Sequence, residues 1–202
     1  MTNPSIKVID DFLPEDIFYP LARMLMTQPM YMPNATMVLP EEDDGSVSTY
    51  GEQDIPFNPH ETLFVAPLFQ REPNISRVHN IYWFTKVWFD EIEKKLDSIR
   101  LWRYQCNCTG IQPEHFQSAF HIDMYEDGMG LVNLRTAILY LNSNNGGTKF
   151  EECGTFVESK RNRLVHFPIT LRHAGVCQTN KKLRFLLNMA YEVKNNITKG
   201  FE

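Results

Sequence analysis

No stretch of the 202-residue sequence holds the roughly 18 consecutive apolar residues that a bilayer-spanning helix needs, so no membrane segment is expected. Basic charge is also scarce. Lys and Arg number 20 against 25 Asp and Glu, a net charge of -5, whereas a nucleic-acid partner would call for a basic surface. The local basic clusters Lys160-Arg161-Asn162-Arg163 and Lys181-Lys182 read as solvated turns. Four cysteines, Cys106, Cys108, Cys153 and Cys177, are too few and too dispersed for a disulfide framework, and reduced thiols are expected. Cys106-Asn107-Cys108 lacks the two-residue gap of a zinc knuckle and no second pair follows, so strand cysteines are the simpler reading. The opening MTNPSIKVIDDF carries acids where an export signal carries a basic start and an apolar run, so a cytoplasmic protein is expected.

What is present fits one domain with a substantial core. Residues 6–12 read as a short strand, and Pro14-Glu15-Asp16 opens a helix running to about Gln28. Residues 29–60, rich in proline and carrying the acidic run Glu41-Glu42-Asp43-Asp44, read as a long loop of the kind that serves as a binding element or a surface excursion. A long helix is predicted over 76–98, where Val87, Trp88, Ile92 and Leu96 recur at helical spacing and Glu91 precedes Lys95 by four residues. Eight short strands then follow between Gly, Asn and Asp turns, at 101–109, 118–124, 134–142, 148–152, 155–159, 163–167, 172–177 and 183–193. Helices first and strands later make the class α+β, a sandwich or barrel with the N-terminal helices packed on one sheet.

Within the strand at 118–124, FHIDM raises a chemical question. In extended chain His121 and Asp123 leave one face while Phe120, Ile122 and Met124 leave the other, so two ionisable groups point together out of an apolar segment. His173, in LRHAGV, lies 50 residues after Asp123 and offers a second imidazole. Two histidines and one carboxylate on one side of a metal form the facial set that suits Fe(II) and leaves positions open for other ligands. Arg184 stands eleven residues after His173 in LRFLLNMAY, among side chains too apolar to bury a guanidinium without an anion. Its planar fork matches a carboxylate, such as the distal end of 2-oxoglutarate. Singly, each residue has an ordinary structural explanation; the ordered set carries the signal. His166 reads as a structural strand residue, His115 as a loop residue near the site entrance, and His60 and His79 have no partner pattern. The turn 125–133 directly follows the His-x-Asp pair and reads either as a substrate-flanking element or as a plain connection.

His121-x-Asp123, Gly146-Gly147-Thr148-Lys149-Phe150, the strand Arg163 to Phe167, His173 and Arg184 together resemble the iron- and 2-oxoglutarate-dependent dioxygenases, above all their prolyl 4-hydroxylase-like branch. The resemblance covers about residues 100–193. It implies a double-stranded β-helix, or jelly roll, over that span, with residues 1–98 as helical support and the whole chain as a single domain. It further implies that His121, Asp123 and His173 hold Fe(II), that Arg184 binds the distal carboxylate of 2-oxoglutarate from the opposing sheet, and that ascorbate serves as a reductant. O2 and 2-oxoglutarate would be consumed, succinate and CO2 released, and a C–H bond hydroxylated. The first substrate class is a peptide or protein residue such as proline, and the second a free amino acid or small metabolite. A jelly-roll binding module without catalysis is the reading from another class, and the intact set argues against it. A departure concerns the family's tyrosine at the distal carboxylate. Its best-matching position here is Leu139, with Tyr140 turned to the other face, which leaves Tyr104 or Asn107 on the preceding strand for that role.

Overall fold

A computed structural model describes residues 6–30, 63–71, 76–78, 80–123 and 133–194, with side chains described in all of these except 70, 71 and 76–81. Two antiparallel sheets face each other. The larger has the order β1-β8-β5-β10-β4-β2-β3, built from β1 (Lys7–Ile9), β2 (Leu63–Arg71), β3 (Ser76–Val78), β4 (Ser98–Gly110), β5 (Leu134–Tyr140), β8 (Leu164–Pro168) and β10 (Leu183–Val193). The smaller has the order β7-β6-β9, from β6 (Gly147–Phe150), β7 (Phe156–Glu158) and β9 (His173–Val176). The inner faces meet in an apolar cluster of Ile138, Tyr140, Val165, Phe167 and Leu186 from the large sheet with Phe150 and Val157 from the small one. All are nine-tenths buried or more. This two-sheet, mostly antiparallel architecture is a jelly roll.

Helix α1 (Glu15–Thr27) starts after Pro14, whose fixed φ suits a helix entry, with Glu15 and Asp16 in the first turn where the helix dipole favours acids. Phe18, Leu21, Ala22 and Leu25 recur at one-face spacing and are buried. Helix α2 (Asn80–Lys95) ends on Lys94 and Lys95, and Asp97 follows with φ 51°. Its buried face is Tyr82, Thr85, Phe89 and Ile92, continued by Leu96 just past its end, while Val87, expected inward, is 64% exposed. Its surface carries the i,i+4 ion pair Lys86–Asp90 at 2.5 Å. Both helices share one core cluster with the outer-face residues Tyr104, Cys106, Leu139, Leu187 and Met189 of the large sheet. Phe89 lies 4.2 Å from the Tyr104 ring, and Cys106 Sγ donates to the Leu25 carbonyl.

The strands are more extensive than the pattern predicts. Residues 76–78, expected to open the helix, form β3 instead, and β2 adds a strand the apolar run LFVAPLFQR did not announce because Pro67 interrupts it. The ladder absorbs the proline through a register shift between Pro67 and Phe69. The stretch 1–98 thus supplies three strands of the large sheet as well as the helices. Of the expected loop 29–60, residues 31–60 lie outside the described residues, as do His60, His79 and 124–132. No helix among the described residues is long and apolar enough to cross a membrane.

The basic run at 160–163 is matched by acids near the N-terminus. Lys160 and Arg163 pair with Asp10 at 2.8 and 2.6 Å, and Arg161 pairs with Glu15 and stacks over the Phe18 ring at 4.6 Å. Asn162, with φ 61°, is buried in the middle of that turn.

Candidate metal centre

Residues 117–121 run beside β9 as an extended edge rather than a full strand. Bridges form at its two ends, Gln117 with Val176 and His121 with His173. Between them Ser118 Oγ accepts the Gly175 N–H at 3.0 Å, so a side chain takes the place of a ladder carbonyl. The expected strand at 118–124 is therefore an irregular edge, and its pairing is what matters for the site. His121 and His173 exchange both main-chain hydrogen bonds, at 2.9 and 3.0 Å, which puts their side chains on one face with ring centroids 4.7 Å apart. Phe167 meets the His173 ring edge-on at 4.8 Å and Phe150 packs against Phe167 at the same distance, an apolar wall on one side of the imidazole.

Asp123 joins this pair. One donor atom from each of His121, Asp123 and His173 lies within 4.8 Å of the others, the one such group among the described residues. His173 Nε2 is 3.6 Å from Asp123 Oδ2. Each imidazole gives its Nδ1–H to a carbonyl two residues upstream, His121 to Ala119 and His173 to Leu171, both at 3.1 Å. Those bonds fix the tautomer and leave both Nε2 lone pairs for a ligand. Burial and the neighbouring His173 ring push His121 down to about 4, so it stays a neutral donor at physiological pH. Burial works to raise the Asp123 carboxyl, but the Arg103 guanidinium and the two imidazoles outweigh it and hold it well below the usual carboxylate range. Asp123 Oδ2 is buried with no hydrogen-bond partner. An ionised, desolvated oxygen without a donor is costly unless a cation completes it. These residues fit a metal of borderline hardness, with nitrogen and oxygen donors and no further donor grouped with them among the described residues.

Arg184, on β10, points into the same space. It is 5% exposed, and burial works to lower its pKa. Nη1 donates to the carbonyls of Gly147 and Val176 at 2.7 and 2.8 Å, while Nε is buried without a partner and no carboxylate among the described residues pairs with the side chain. The free Nε–Nη2 edge is the fork that receives a carboxylate bidentately. Gly175 makes room for it: a Cβ there would stand 3.3 Å from Arg184 Nη2. Arg184 and Asn188 are four residues apart on one strand face, about 13 Å along β10 at strand rise. Through Asn188, which bonds Asp123, the strand that carries the guanidinium also reaches the metal donors, and the two together suit a ligand with two anionic ends.

The register decides which neighbours share this face. Arg184 pairs with Thr109, Leu186 with both Asn107 and Tyr140, and Asn188 with Gln105 and Ile138. Directly opposed residues of a ladder face the same side, so Asn107 and Tyr140 look inward with Arg184. Tyr140, expected to turn away, is the inward residue, and Leu139 pairs with Leu187 on the helix side. The Tyr140 hydroxyl is fully buried and bonded to Thr148 Oγ1 at 2.8 Å and the Val157 carbonyl at 3.2 Å. Tyr104, expected as a cofactor contact, lies on the face away from Arg184. It pairs with Met189 and packs among Phe89 and Tyr82 on the outer face, where burial raises its phenol well above the usual value. Asn107 accepts from Gln105 Nε2 at 2.8 Å on the inner face. The four cysteines are free; Cys106 faces the helices with a thiol pushed up by burial, and neither it nor Cys108 joins a cluster of metal donors among the described residues. His115 bonds the Cys177 carbonyl and His166 the Tyr191 hydroxyl; neither joins the site.

Two residues of the site have no counterpart in the motif reading. Arg103 on β4 and Asn188 on β10 both contact Asp123. Asn188 had a visible signal, a lone amide within LLNMAY. Arg103 begins the polar alternation Arg103, Gln105, Asn107, Thr109 of β4.

No protein-family model and no curated protein matches the chain. Among solved structures it is similar to a prolyl hydroxylase from Trichoplax adhaerens in complex with a hypoxia inducible factor oxygen degradation domain peptide (TM-score 0.58, 11% identity, 99% of this chain and 89% of that one). It is likewise similar to an oxidoreductase of the 2OG-Fe(II) oxygenase family from Burkholderia pseudomallei (TM-score 0.57, 9% identity, 92% and 84%). A third similar structure is HygX from Streptomyces hygroscopicus with nickel, 2-oxoglutarate and hygromycin B bound (TM-score 0.55, 8% identity, 95% and 84%). The chain has the jelly-roll fold of the 2OG-Fe(II) oxygenases.

Proposed function

We propose that a chain with this fold and this donor set is an Fe(II)- and 2-oxoglutarate-dependent dioxygenase that hydroxylates a C–H bond. The observation that carries the reading is the coincidence, in one interior, of a one-sided His–Asp–His set with an unpartnered buried carboxylate oxygen and an arginine that has no anion. A binding module without catalysis would have no need to bury both.

When bound, iron with 2-oxoglutarate and O2 supplies the oxidising chemistry, turning 2-oxoglutarate into succinate and CO2 while one oxygen atom enters the substrate C–H bond. The chain's part is to bind and orient. His121 and His173 present fixed Nε2 lone pairs, Asp123 presents one oxygen, and the open side is left to the cosubstrate. Arg184 receives the distal carboxylate on its Nε–Nη2 edge, with Tyr140 as the hydroxyl beside it and Asn107 in the adjoining row. The Phe150–Phe167 wall excludes water from one flank of His173. Ascorbate would keep the iron ferrous, and the free thiols suit a reducing, cytoplasmic setting.

For the substrate, the peptide complex of the Trichoplax prolyl hydroxylase favours a peptide or protein residue such as proline. The hygromycin B bound to HygX supports a second reading, a small molecule or metabolite.

The test is anaerobic. Fe(II) with 2-oxoglutarate should give the weak visible charge-transfer band of a chelated complex, and Asp123→Ala or His173→Ala should abolish it. Folded wild-type protein that shows no band would sink the proposal. Succinate release screened against peptides and free small molecules then separates the two substrate classes.

A further inference from the structure

Asp123 is gripped on one side only. Arg103 Nη2 is 2.9 Å from Asp123 Oδ1, Arg103 Nη1 donates to the Asp123 main-chain carbonyl at 3.1 Å, and Asn188 Nδ2 donates to the same Oδ1 at 3.1 Å. Arg103 Nη2 also donates to Asn188 Oδ1 at 3.2 Å, which fixes the amide with its oxygen toward the guanidinium and its nitrogen toward the carboxylate. The three side chains are largely buried, at 17% exposure for Arg103, 5% for Asp123 and 7% for Asn188. Every hydrogen bond to this carboxylate among the described residues therefore falls on Oδ1; Oδ2 has none, although the Thr136 hydroxyl stands near enough to help hold the carboxyl down.

Resting on the dioxygenase reading above, we infer that Arg103 and Asn188 are positioning residues that hold Asp123 as a one-oxygen ligand, with Oδ1 tied back and Oδ2 alone presented to the metal. The physical reason is the number of positions around the ion. Three single-atom protein donors leave three positions of an octahedral site, enough for a chelating cosubstrate and O2. A carboxylate free to swing both oxygens onto the metal would take one of them. Two charge-assisted bonds from a planar fork, one to the carboxylate and one to the main chain of the same residue, remove that freedom by locking the Asp123 side chain to its own backbone. Asn188 closes the other approach to Oδ1. The supports come from adjacent strands, β4 and β10, whose ladder holds Asn188 opposite Gln105 and Ala190 opposite Arg103. The clamp is thus built on the rigid sheet, while Asp123 itself lies on an irregular edge.

Co(II) is the probe, because its visible bands report coordination number without turnover. Wild-type protein, anaerobic and without cosubstrate, should bind Co(II) with the weak bands of a six-coordinate site and keep three exchangeable positions. Arg103→Met should weaken Co(II) binding about 10- to 100-fold and alter the band intensity and position, and Asn188→Ala should do the same to a smaller degree. Arg103→Lys, which keeps the charge but loses the fork, should recover affinity more than it recovers the wild-type spectrum. This variant also serves where Arg103→Met does not fold. A merely structural role would lower thermal stability but leave the spectrum of the bound metal unchanged. Wild-type spectra and affinities in Arg103→Met, or in Arg103→Lys and Asn188→Ala together, would overturn the clamp while leaving the metal centre standing. Wild-type protein that binds no Co(II) would overturn both.

Discussion

At the residue scale, single faces and single atoms decide function. Tyr140→Phe keeps the packing and deletes one hydroxyl beside Arg184; it is expected to raise the 2-oxoglutarate concentration needed for half-maximal charge-transfer absorbance several-fold, at unchanged Fe(II) affinity. Arg184→Ala should raise it far more, and equal effects on iron and cosubstrate would remove Arg184 from its role. Gly147 offers a stability counterpart. A Cβ there would sit 2.2 Å from the Val157 carbonyl and 2.8 Å from the Phe156 ring, and its own carbonyl accepts from Arg184. Gly147→Ala should cost about 1–3 kcal/mol, read from urea unfolding, because backbone on the crowded side cannot yield as a side-chain tip can. The metal donors were legible as residues in a pattern, because His-x-Asp in extended chain needs only a period of two. The tyrosine was not, because β5 is buried on both faces at most of its positions and shows no alternation. Its parity is set by the pairing of Tyr140 with Leu186, a long-range register that the segment does not contain. Tyr104 and Asn107 differ in parity on one strand, so only one could face the cavity. The apolar set Tyr104, Cys106, Cys108 marks the outer face, and Asn107 belongs to the other.

At the scale of elements, the strands with strong local patterns were found nearly to the residue, β10 at 183–193 among them, while irregular ones were not. The segment 117–121 has a strand's sequence but makes a ladder only at its ends, since Ser118 Oγ substitutes for a carbonyl. β2 carries a proline that argues against a strand until the bulge is known. The turn at 160–163 read as solvated, yet its central residue is the anchor of α1. Asn162 accepts the Leu13 N–H at 3.0 Å and donates to the Leu13 carbonyl at 2.7 Å, acting as a one-residue strand partner for the chain just before the helix. Asn162→Ala leaves both main-chain groups of Leu13 unpartnered in a buried place and puts alanine at φ 61°, a left-handed conformation that asparagine adopts more readily. A loss of about 2–6 kcal/mol is expected, from the cost of roughly 1–3 kcal/mol for each of the two buried unsatisfied groups. Asn162→Gly, which relieves the backbone but not the hydrogen bonds, should recover only part of it. Recovery to wild-type stability in Asn162→Gly would show that the conformation, not the bonding, is what the residue supplies.

At the scale of the molecule, pH and ligands act on the same folding equilibrium from different places. His166 sits on the outer side of the large sheet, bonded to Tyr191, and burial together with Lys7 and Arg135 pushes it down to about 4. Between its unfolded value of 6.5 and that folded value the unfolded chain binds the extra proton, so its contribution to stability falls as pH drops through that window. His166→Phe should remove its share of this slope in the metal-free protein and leave the share of His121, which burial also holds at about 4. Ligands act oppositely, since whatever binds only the folded interior adds stability as the logarithm of its saturation, about 2.7 kcal/mol at a hundredfold excess over Kd. A non-turning-over metal such as Mn(II) should therefore raise Tm, and 2-oxoglutarate should raise it further only when the metal is present, because one end of the ligand needs each. Asp123→Ala should lose both increments. Arg184→Ala should keep the metal increment and lose the second, a separation that thermal shifts measure without any knowledge of the substrate. If 2-oxoglutarate stabilised Arg184→Ala as much as wild type, the distal anion site would have to lie elsewhere in the interior.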